Sequence, residues 1–421
     1  MTEQTATAQP TFDLLSPGFR ADPYPYYARM RREAPVFKTK MPGFTRGDAW
    51  IVSRYDDIVA GLKHPALSSD MMQLRSQGNG ARWIPRAFKI LAKTMVTMDD
   101  PDHARLKNLV IKGFTPARVE QMTGRVHALT EALLKGLEGR ETVDLIEDFA
   151  LPLPMAVISE MLGVPVGERA KFRRFMLHLL DGPPPSFWRL ITGLRNNLRM
   201  IRYLDGLINL RRREPDDGLI TALVAAEQSG DRLSQEELIG MVFVLLLAGH
   251  ETTVNLLGNG MLALMDDRKE LERLRANPAH IKTAIEELLR FTNPVQHSVI
   301  RFAKEDLEIA GVKIAKGDRV LLMLAAANRD EAVFENAETL DIARDPNRHL
   351  GFGLGIHFCL GAPLARLEGA IALNALLAKF PDIALAIPRD KVRWRPNSLL
   401  RGLKDLPVRL GKPAEERKRA A

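Results

Sequence analysis

One segment, from residue 351 to residue 366, constrains the possible folds of this chain more than any other. It reads GFGLGIHFCLGAPLAR and contains Cys359, the only cysteine among 421 residues. Glycine allows close backbone approach to a flat partner and positive φ angles, at a cost in conformational entropy, so its density here indicates a specific requirement. From Leu360 the apolar residues follow helical spacing. Cys359 is therefore predicted at the N-terminus of a helix, where the dipole favours a thiolate.

The single cysteine limits the chemistry available to this segment. A lone intracellular cysteine is usually a small buried hydrophobe, and that is the simplest interpretation. Zinc sites, iron–sulfur clusters and disulfides need further ligands or a second cysteine, so one chain cannot form them here. Haem iron needs only one thiolate, because the porphyrin supplies four other ligands. The glycine-rich context favours this last possibility.

The residues around the cysteine also carry a family resemblance. The segment matches the pattern F-G-x-G-x-H-x-C-L-G and so resembles the haem-thiolate cytochromes P-450 of the soluble bacterial type. The resemblance implies a mostly α fold with small β-sheets (α+β), with haem b between a long central helix and the cysteine loop and helix. It also implies that Cys359 is the axial iron ligand and that Phe352, Gly353 and Gly361 contact the haem. The matching residues are Phe352, Gly353, Gly355, His357, Cys359, Leu360 and Gly361.

The composition agrees with one large domain spanning residues 1–421. Hydrophobic residues make up 46% of the chain and charged residues 27%, and no linker or internal repeat is visible. We expect residues 1–15 and 412–421 to be flexible. The start shows neither a signal peptide nor an anchor, and the longest apolar run, Met241 to Ala248, is far shorter than the about 18 residues that span a bilayer. These features predict a cytoplasmic monomer without membrane contact.

Net charge gives a weaker indication about partners. The formal charge is +8 and the isoelectric point about 9.5. The basic residues are scattered, apart from a local cluster in the tail from Lys404 to Arg419, and no nucleic-acid-binding motif accompanies them. Nucleic acid is therefore not expected, and an acidic protein partner is the preferred interpretation.

A second segment combines an apolar helix with an abrupt polar break. Ser234, with Glu237 three residues later, predicts a capping box at the start of a helix that continues to about Met265. Residues 238–248 are nearly all apolar and predict burial on most faces. The sequence AGHETT, residues 248–253, follows directly. A glycine and two β-branched hydroxyl residues oppose helix propensity, and such conflicts are typical of functional sites.

Two interpretations of this break remain. Thr252 can donate a hydrogen bond to the preceding turn and produce a tolerated kink. The cytochrome P-450 resemblance instead implies that the break lies over the distal face of the haem, where O2 reacts. Glu251 and Thr252 would then deliver the protons that O–O cleavage requires. Gly249 would leave a groove for O2, and Ala248 would contact both haem and substrate.

Four side chains are expected at the rim of the haem. His103 and Lys107 lie four residues apart on one face of a helix predicted to begin with an aspartate cap near Asp99. Spacing alone favours a solvated face, whereas the resemblance implies that both residues hold a haem propionate. The family has an arginine where this chain has Lys107, so a point charge replaces a bidentate contact. Arg301 and His357 are the other propionate-binding positions.

A further set of charged residues resembles a structural element of the family. Glu287 and Arg290 are three residues apart on a helix predicted from His280 to Phe291. As isolated neighbours they would form an exposed pair of small energetic value. The resemblance implies that they form the buried E-x-x-R pair, completed by Arg344, with a structural rather than a catalytic role.

Short strands are predicted between the helices. Residues 36–40 and 49–54 predict a strand pair, and residues 295–300 predict a further strand. Residues 306–324 predict two strands joined by a turn at residues 316–318.

Several segments would contribute to a substrate pocket. Gln296 and His297 give its border a polar character that slightly favours a substrate with polar groups. The stretches 68–100 and 182–188 are irregular, and such loops often cover binding sites. The resemblance implies these pocket residues: Met95, Val96, Leu245, Ala248, Val295, Gln296, Ser298 and Leu399.

Together these features predict a monooxygenase that inserts one atom of O2 into a hydrophobic or amphipathic small molecule by hydroxylation or epoxidation. Steroids, terpenoids, fatty acids and other secondary metabolites are candidate substrates. Electrons must come from separate proteins, because one cysteine cannot hold an iron–sulfur cluster and no dinucleotide-binding fingerprint is present. A ferredoxin or flavodoxin with its NAD(P)H-dependent reductase is implied, docking near Arg105, Lys112 and Arg366.

Two other classes of function remain open. A haem-thiolate protein without monooxygenation, such as a peroxide-dependent enzyme, a sensor or a carrier, does not require Glu251 and Thr252. A basic helical binding module without haem would leave both the glycine-rich loop and the polar break unexplained.

Overall fold

The computed structural model describes residues 12–40 except Leu15, 48–70, 89–168 except Ala92, 171, 175, 187–228 and 233–414. Several predicted features lie outside the described residues. These are the termini 1–11 and 415–421, for which flexibility was predicted, most of the irregular stretch around residues 71–88, and the proline-rich turn at residues 182–186.

Helices dominate the described chain, which confirms the predicted mostly α fold class. Shorter 3₁₀ or π turns connect some of them, at Met95–Thr97, Ile111–Phe114, Ile146–Ala150, Val166–Glu168, Pro278–His280, Gly355–His357 and Arg389–Lys391. The helices are α1 (Pro17–Ala21), α2 (Tyr24–Glu33), α3 (Tyr55–Lys63), α4 (Asp102–Val110), α5 (Pro116–Gln121), α6 (Thr123–Lys135), α7 (Pro152–Leu162), α8 (Phe187–Arg213), α9 (Leu219–Gln228), α10 (Gln235–Asp266), α11 (Arg268–Ala276), α12 (Ile281–Thr292), α13 (Leu324–Ala327) and α14 (Ala362–Lys379).

The strands form small sheets beside the helices. The largest has the strand order β1-β2-β8-β5-β3, the second has the order β4-β10-β9, and β6 pairs with β7 as a hairpin. Among the strands of the described residues, β2 and β8 form the one parallel pair. The strands are β1 (Val36–Lys40), β2 (Asp48–Val52), β3 (Leu67–Ser68), β4 (Thr142–Asp144), β5 (Arg301–Ala303), β6 (Leu307–Ile309), β7 (Val312–Ile314), β8 (Arg319–Leu322), β9 (Ala384–Leu385) and β10 (Pro407–Arg409).

Helix α10 forms the centre of the fold. Ser234 Oγ accepts a hydrogen bond from the backbone N–H of Glu237 (3.3 Å), and the Glu237 carboxylate accepts one from the Ser234 N–H (2.8 Å), which confirms the capping box. Residues 238–246 are all buried, and α7, α8, α12 and α14 pack against the helix. Residues 248–253 lie at the middle of this helix.

The same helix is long and apolar enough to cross a membrane. One window of 18 residues has a mean hydropathy of 1.5, and 67% of that window is buried inside the protein. Among the described residues no other helix meets these conditions. The run 241–248 therefore underestimates the apolar length of this segment, because apolar residues resume after the polar break.

Two strand predictions are wrong. Residues 295–300 form no strand; Val295 makes one isolated bridge to Leu400, and β5 begins only at Arg301. Residues 306–324 contain three strands rather than two. The hairpin turn lies between β6 and β7, whereas the turn at residues 316–318 leads into β8, which pairs with β2 and β5. Three-residue strands are determined by tertiary partners, which local patterns do not reveal.

Candidate active site

The cysteine loop is held by backbone bonds and left-handed glycines. Gly353 and Gly355 have φ angles of 69° and 73°, which residues with a side chain rarely adopt. These turns let the Cys359 N–H donate a hydrogen bond to the Phe352 carbonyl (2.9 Å). Gly361 is the N-cap of α14, which begins at Ala362, two residues after the predicted start at Leu360. The Cys359 side chain thus lies at a helix N-terminus with one side exposed.

The environment of the Cys359 sulfur differs from the expectation in one respect. The backbone N–H groups of Gly361 and Ala362 donate to the sulfur, and the charge of Arg366 acts in the same direction. Protein atoms nevertheless enclose the sulfur on its other sides, and this burial is the largest effect and raises the pKa of the thiol. The expected lowering by the helix terminus alone is therefore wrong. A bound metal ion would add the charge that favours the thiolate.

Arg366, seven residues after Cys359 and in the first turns of α14, holds the loop in place. Its guanidinium lies 4.6 Å from the centre of the Phe352 ring. It also donates two hydrogen bonds to Glu286, at 2.6 and 2.8 Å, and His349 Nε2 lies 3.0 Å from the same carboxylate. Sequence reasoning assigned Arg366 only to partner docking, although its i+7 position beneath the loop was a signal for this role.

The four predicted rim residues come together. The rings of His103 and His357 lie 4.6 Å apart. Burial, followed by the charges of Arg301, His103 and Lys107, lowers the pKa of His357 to about 3. Arg301 is buried, and burial lowers its pKa. These side chains converge on one region from α4, β5 and the cysteine loop, and they give it a positive character.

Lys107 also contacts the cysteine loop. Its Nζ donates a hydrogen bond to the carbonyl of Ile356 (2.7 Å), so it joins α4 to the cysteine loop. The start of α4 differs from expectation. The side chain of Asp100, not that of Asp99, accepts hydrogen bonds at the helix start, from the Ala104 N–H and at His103 Nδ1, each at 3.1 Å.

The polar break in α10 brings a buried acid beside a more exposed face. Glu251 is 3% exposed and Thr252 is partly exposed, while Ala248, one turn earlier, is exposed. Thr252 Oγ1 donates to the Ala248 carbonyl (2.9 Å), which is the local bond that the first interpretation of the break described. Leu245 is buried one turn before Ala248. Ala248 and Thr252 thus present a face that protein does not fully cover.

Gly249 is required by helix packing. A Cβ atom at this position would approach within 2.6 Å of Cγ1 and 2.7 Å of Cδ1 of Ile158 on α7. Real Cβ atoms essentially never lie this close to a side chain. The glycine therefore allows α10 and α7 to approach, which explains its presence without the expected O2 groove.

The polar side chains near the expected pocket form hydrogen bonds with other groups of the protein. Gln296 Oε1 accepts a hydrogen bond from the Tyr27 hydroxyl (3.1 Å), and Gln296 Nε2 donates to the Ser398 carbonyl (2.9 Å). Ser298 Oγ donates to the Val299 carbonyl (2.8 Å). His297 Nδ1 lies 2.7 Å from the Ser298 carbonyl, and all three residues are buried. The basis for preferring a polar substrate is therefore lost.

The remaining pocket candidates are apolar and less enclosed. Met95 and Val96 form the turn that precedes α4, and Val295 and Leu399 lie on the two segments joined by the Val295–Leu400 bridge. All four are partly buried.

Glu287, Arg290 and Arg344 are in direct contact. Arg290 donates to both oxygens of Glu287, and Arg344 Nε lies 3.2 and 3.1 Å from the same two atoms. Asn347 donates a further hydrogen bond to Glu287 (3.1 Å). The E-x-x-R pair on α12 is thereby tied to the chain that leads into the cysteine loop.

The residues present fit a haem group. A single sulfur with one exposed side offers the one thiolate that haem iron needs. The rim residues provide positive charge for two propionates, and Arg301 Nε is buried without a hydrogen-bond partner among the described residues. No group of three or more His, Cys, Asp or Glu side chains that could hold a metal ion occurs in the described part of the chain. The donor set is therefore that of a haem-thiolate protein.

Comparisons with known proteins agree with this geometry. The model of the family described as Cytochrome P450 matches residues 60–382. The chain is 43% identical over 397 residues to the polyketide biosynthesis cytochrome P450 PksS of Bacillus subtilis (strain 168), covering 94% of this chain and 97% of the relative. It is 43% identical over 405 residues to cytochrome P450 107B1 of Saccharopolyspora erythraea, covering 95% and 98%.

A solved structure gives the same result. The structure of the P450 monooxygenase TamI bound to tirandamycin C is 40% identical in sequence and has a TM-score of 0.87, covering 94% of this chain and 99% of that one. This chain therefore belongs to the cytochrome P450 family. It is a monooxygenase, an oxidoreductase that incorporates oxygen from O2, and the fold predicted from the cysteine segment is confirmed.

Proposed function

We propose that Cys359 is the axial ligand of haem iron and that His103, Lys107, Arg301 and His357 surround the propionates. The observation that carries this proposal is the position of Cys359 at the N-terminus of α14. Its sulfur receives two backbone N–H groups there, beside a cluster of basic side chains. Bound haem would supply the activation of O2. Phe352, Gly353 and Gly361 would shape the loop beneath it.

Glu251 and Thr252 are the proposed proton-delivering pair. Glu251 is buried, and its neighbour Thr252 has its hydroxyl on the less covered face of α10. Thr252 Oγ1 donates to the Ala248 carbonyl, which fixes the hydroxyl and leaves its oxygen lone pairs as acceptors. A carboxyl group beside an oriented hydroxyl is suited to general acid catalysis. A peroxide-dependent enzyme, a sensor or a carrier would not need this pair.

The substrate is proposed to be a hydrophobic or amphipathic secondary metabolite. Relatives are named for polyketide biosynthesis, and one was solved with tirandamycin C. The candidate pocket residues whose side chains remain partly exposed are apolar, namely Met95, Val96, Val295 and Leu399. Such a lining favours a mainly apolar ligand that binds by burying its apolar surface. A few polar contacts would fix its orientation.

Electrons are proposed to come from NAD(P)H through a reductase and an acidic ferredoxin or flavodoxin. Arg105 pairs with Asp102 and Glu237, and Arg366 pairs with Glu286, so two of the three expected docking cations are compensated. Lys112 is exposed. The proposed docking face therefore combines Lys112 with exposed apolar side chains, namely Ile111, Ile356 and Phe358.

The proposal also includes one haem domain formed by the whole chain, acting as a cytoplasmic monomer. Burial of most of the apolar window of α10 inside the protein supports only the absence of membrane contact in this proposal.

The axial assignment is tested by the spectrum of the reduced protein with carbon monoxide. Wild type is expected to show the red-shifted Soret band of a thiolate ligand, and Cys359→Ala is expected to lose it. Lys112→Ala, an exposed change, serves as the control and should keep the band. A Cys359→Ala protein that retained the red-shifted band would contradict the assignment.

Substrate class is tested by a ligand screen on the same protein. Candidates that enter the pocket are expected to shift the Soret band from the low-spin to the high-spin position. Apolar polyketides and fatty acids should shift it at lower concentration than polar analogues of equal size. The opposite order would contradict the proposed pocket.

A further inference from the structure

A negatively charged residue, Asp99, lies inside the positive rim. Its Oδ1 accepts a hydrogen bond from the Ser69 N–H (2.9 Å). Ser69 Oγ lies 3.3 Å from His357 Nε2, so the same short segment contacts the rim histidine. The Asp99 charge acts on both Arg301 and His357 and raises the pKa of each, against the larger lowering by burial. Asp99 is therefore a neighbour of two rim residues.

Two buried polar atoms in this region have no hydrogen-bond partner among the described residues. They are Oδ2 of Asp99 and Nε of Arg301. Buried polar atoms are nearly always paired, so the unsatisfied Arg301 Nε indicates a ligand that completes it. Asp99 Oδ2 is an acceptor, which an anionic group cannot satisfy. Arg301 is suited to an anionic group of that ligand, because its guanidinium binds carboxylates.

The rim contains charged side chains of both signs, whereas the expected ligand, haem, carries only negative propionates. Lys107 and Arg301 carry positive charge at the rim, and Asp99 carries negative charge. Haem has two propionates. Asp99 therefore reduces the positive charge that these propionates would meet, and burial weakens the screening by water.

We propose that Asp99 is a positioning residue of the haem rim, a fixed negative charge that weakens the attraction of Arg301 for a propionate and lowers the reduction potential of the haem. This inference rests on the proposed haem site. Reduction adds negative charge to the haem, so a nearby anion disfavours the reduced form. Asp99 would thus keep the ferric protein resistant to reduction, and it would also make haem easier to release.

The test is Asp99→Asn in the holoenzyme. Asparagine retains Oδ1 as the acceptor for Ser69 N–H and removes only the charge. We expect the ratio of reduced to oxidised protein at a fixed potential to rise about tenfold, which equals about 59 mV for one electron. Release of haem to excess apomyoglobin should become slower. Loss of a merely structural contact would make this release faster and leave the potential unchanged.

The matched control is Asp102→Asn. Its side chain is 62% exposed and pairs with Arg105, so it removes an equal charge only three residues away but in contact with water. We expect a change of less than about twofold in the same ratio. Equal shifts in the two variants, or an unchanged potential in Asp99→Asn, would overturn the inference. A wild-type protein that bound no haem would instead overturn the proposed function.

Discussion

Arg290 donates two hydrogen bonds to Glu287, at 2.7 and 2.8 Å, and both side chains are fully buried. Arg290 also donates to the carbonyls of Asn328, Ala337 and Thr339. Removal of one partner leaves an uncompensated buried charge. We expect Arg290→Ala to lower the free energy of unfolding by about 3–5 kcal/mol, measured by urea denaturation of the holoprotein.

Arg344→Ala provides the comparison. Arg344 is partly exposed and contacts the same carboxylate, but Glu287 would keep Arg290 and Asn347 as partners. We expect a smaller loss, about 1–3 kcal/mol. A loss as large as that of Arg290→Ala would show that the triad, and not the E-x-x-R pair, is the stabilising unit.

Thr252→Ala removes the hydroxyl that bonds to the Ala248 carbonyl. We expect consumption of NAD(P)H to continue while the share of electrons that end in hydrogen peroxide rises, with product formation reduced about tenfold or more. The measurement is peroxide and product per NAD(P)H with reconstituted redox partners. Thr253→Val, a change at a buried neighbour on the same helix, should leave this coupling near wild type. Unchanged coupling in Thr252→Ala would count against the proposed pair.

Glu368 on α14 is fully buried, and neither carboxylate oxygen has a hydrogen-bond partner among the described residues. Burial raises its pKa well above the ordinary value. The folded state therefore holds a proton that the unfolded state releases above about pH 4.5, so this residue lowers stability as pH rises from there towards the folded-state pKa. We expect Glu368→Gln to flatten the fall in melting temperature between pH 5 and pH 8. An equally steep fall in the variant would contradict a buried neutral acid.

Gly249→Ala tests the packing of α10 on α7. The new Cβ would overlap Ile158, and overpacking of this kind costs about 1–3 kcal/mol. Ile158→Val in the same chain removes Cδ1, one of the two overlapping atoms, so the double variant should recover part of the loss. A thermodynamic cycle over both positions measures this coupling. Additive effects would show that the glycine serves another purpose.

The sequence was most informative where a local pattern determines the structure. The Ser234–Glu237 capping box and the glycine-rich cysteine loop depend on neighbours in the chain, and the structure has both as predicted. A strand was predicted at residues 295–300, but the segment is held instead by bonds from Gln296 to distant residues. Those partners are not visible in a local window.

The candidate site likewise combines features that local sequence determines with features that only packing determines. Residue types around Cys359 indicated a thiolate site, and the spacing of His103 and Lys107 placed both on one helix face. Neither the effect of burial on the Cys359 thiol nor the contact of Gly249 with Ile158 could be predicted, because both depend on how helices pack in three dimensions. Asp99 was taken for a helix cap, since only the fold brings it to Arg301 and His357.

The hydrogen bonds of Gln296 have a practical consequence for redesign of substrate selectivity. Its amide joins the Tyr27 hydroxyl of α2 to the Ser398 carbonyl, so the N-terminal helix and the C-terminal segment share one buried residue. Substitution of Gln296 would remove the hydrogen bonds to two distant parts of the chain at once. Thermal stability would then fall even where substrate selectivity did not change. Val295 and Leu399 carry no such bond through their side chains, and they are the positions at which the proposed pocket is expected to be reshaped independently of the rest.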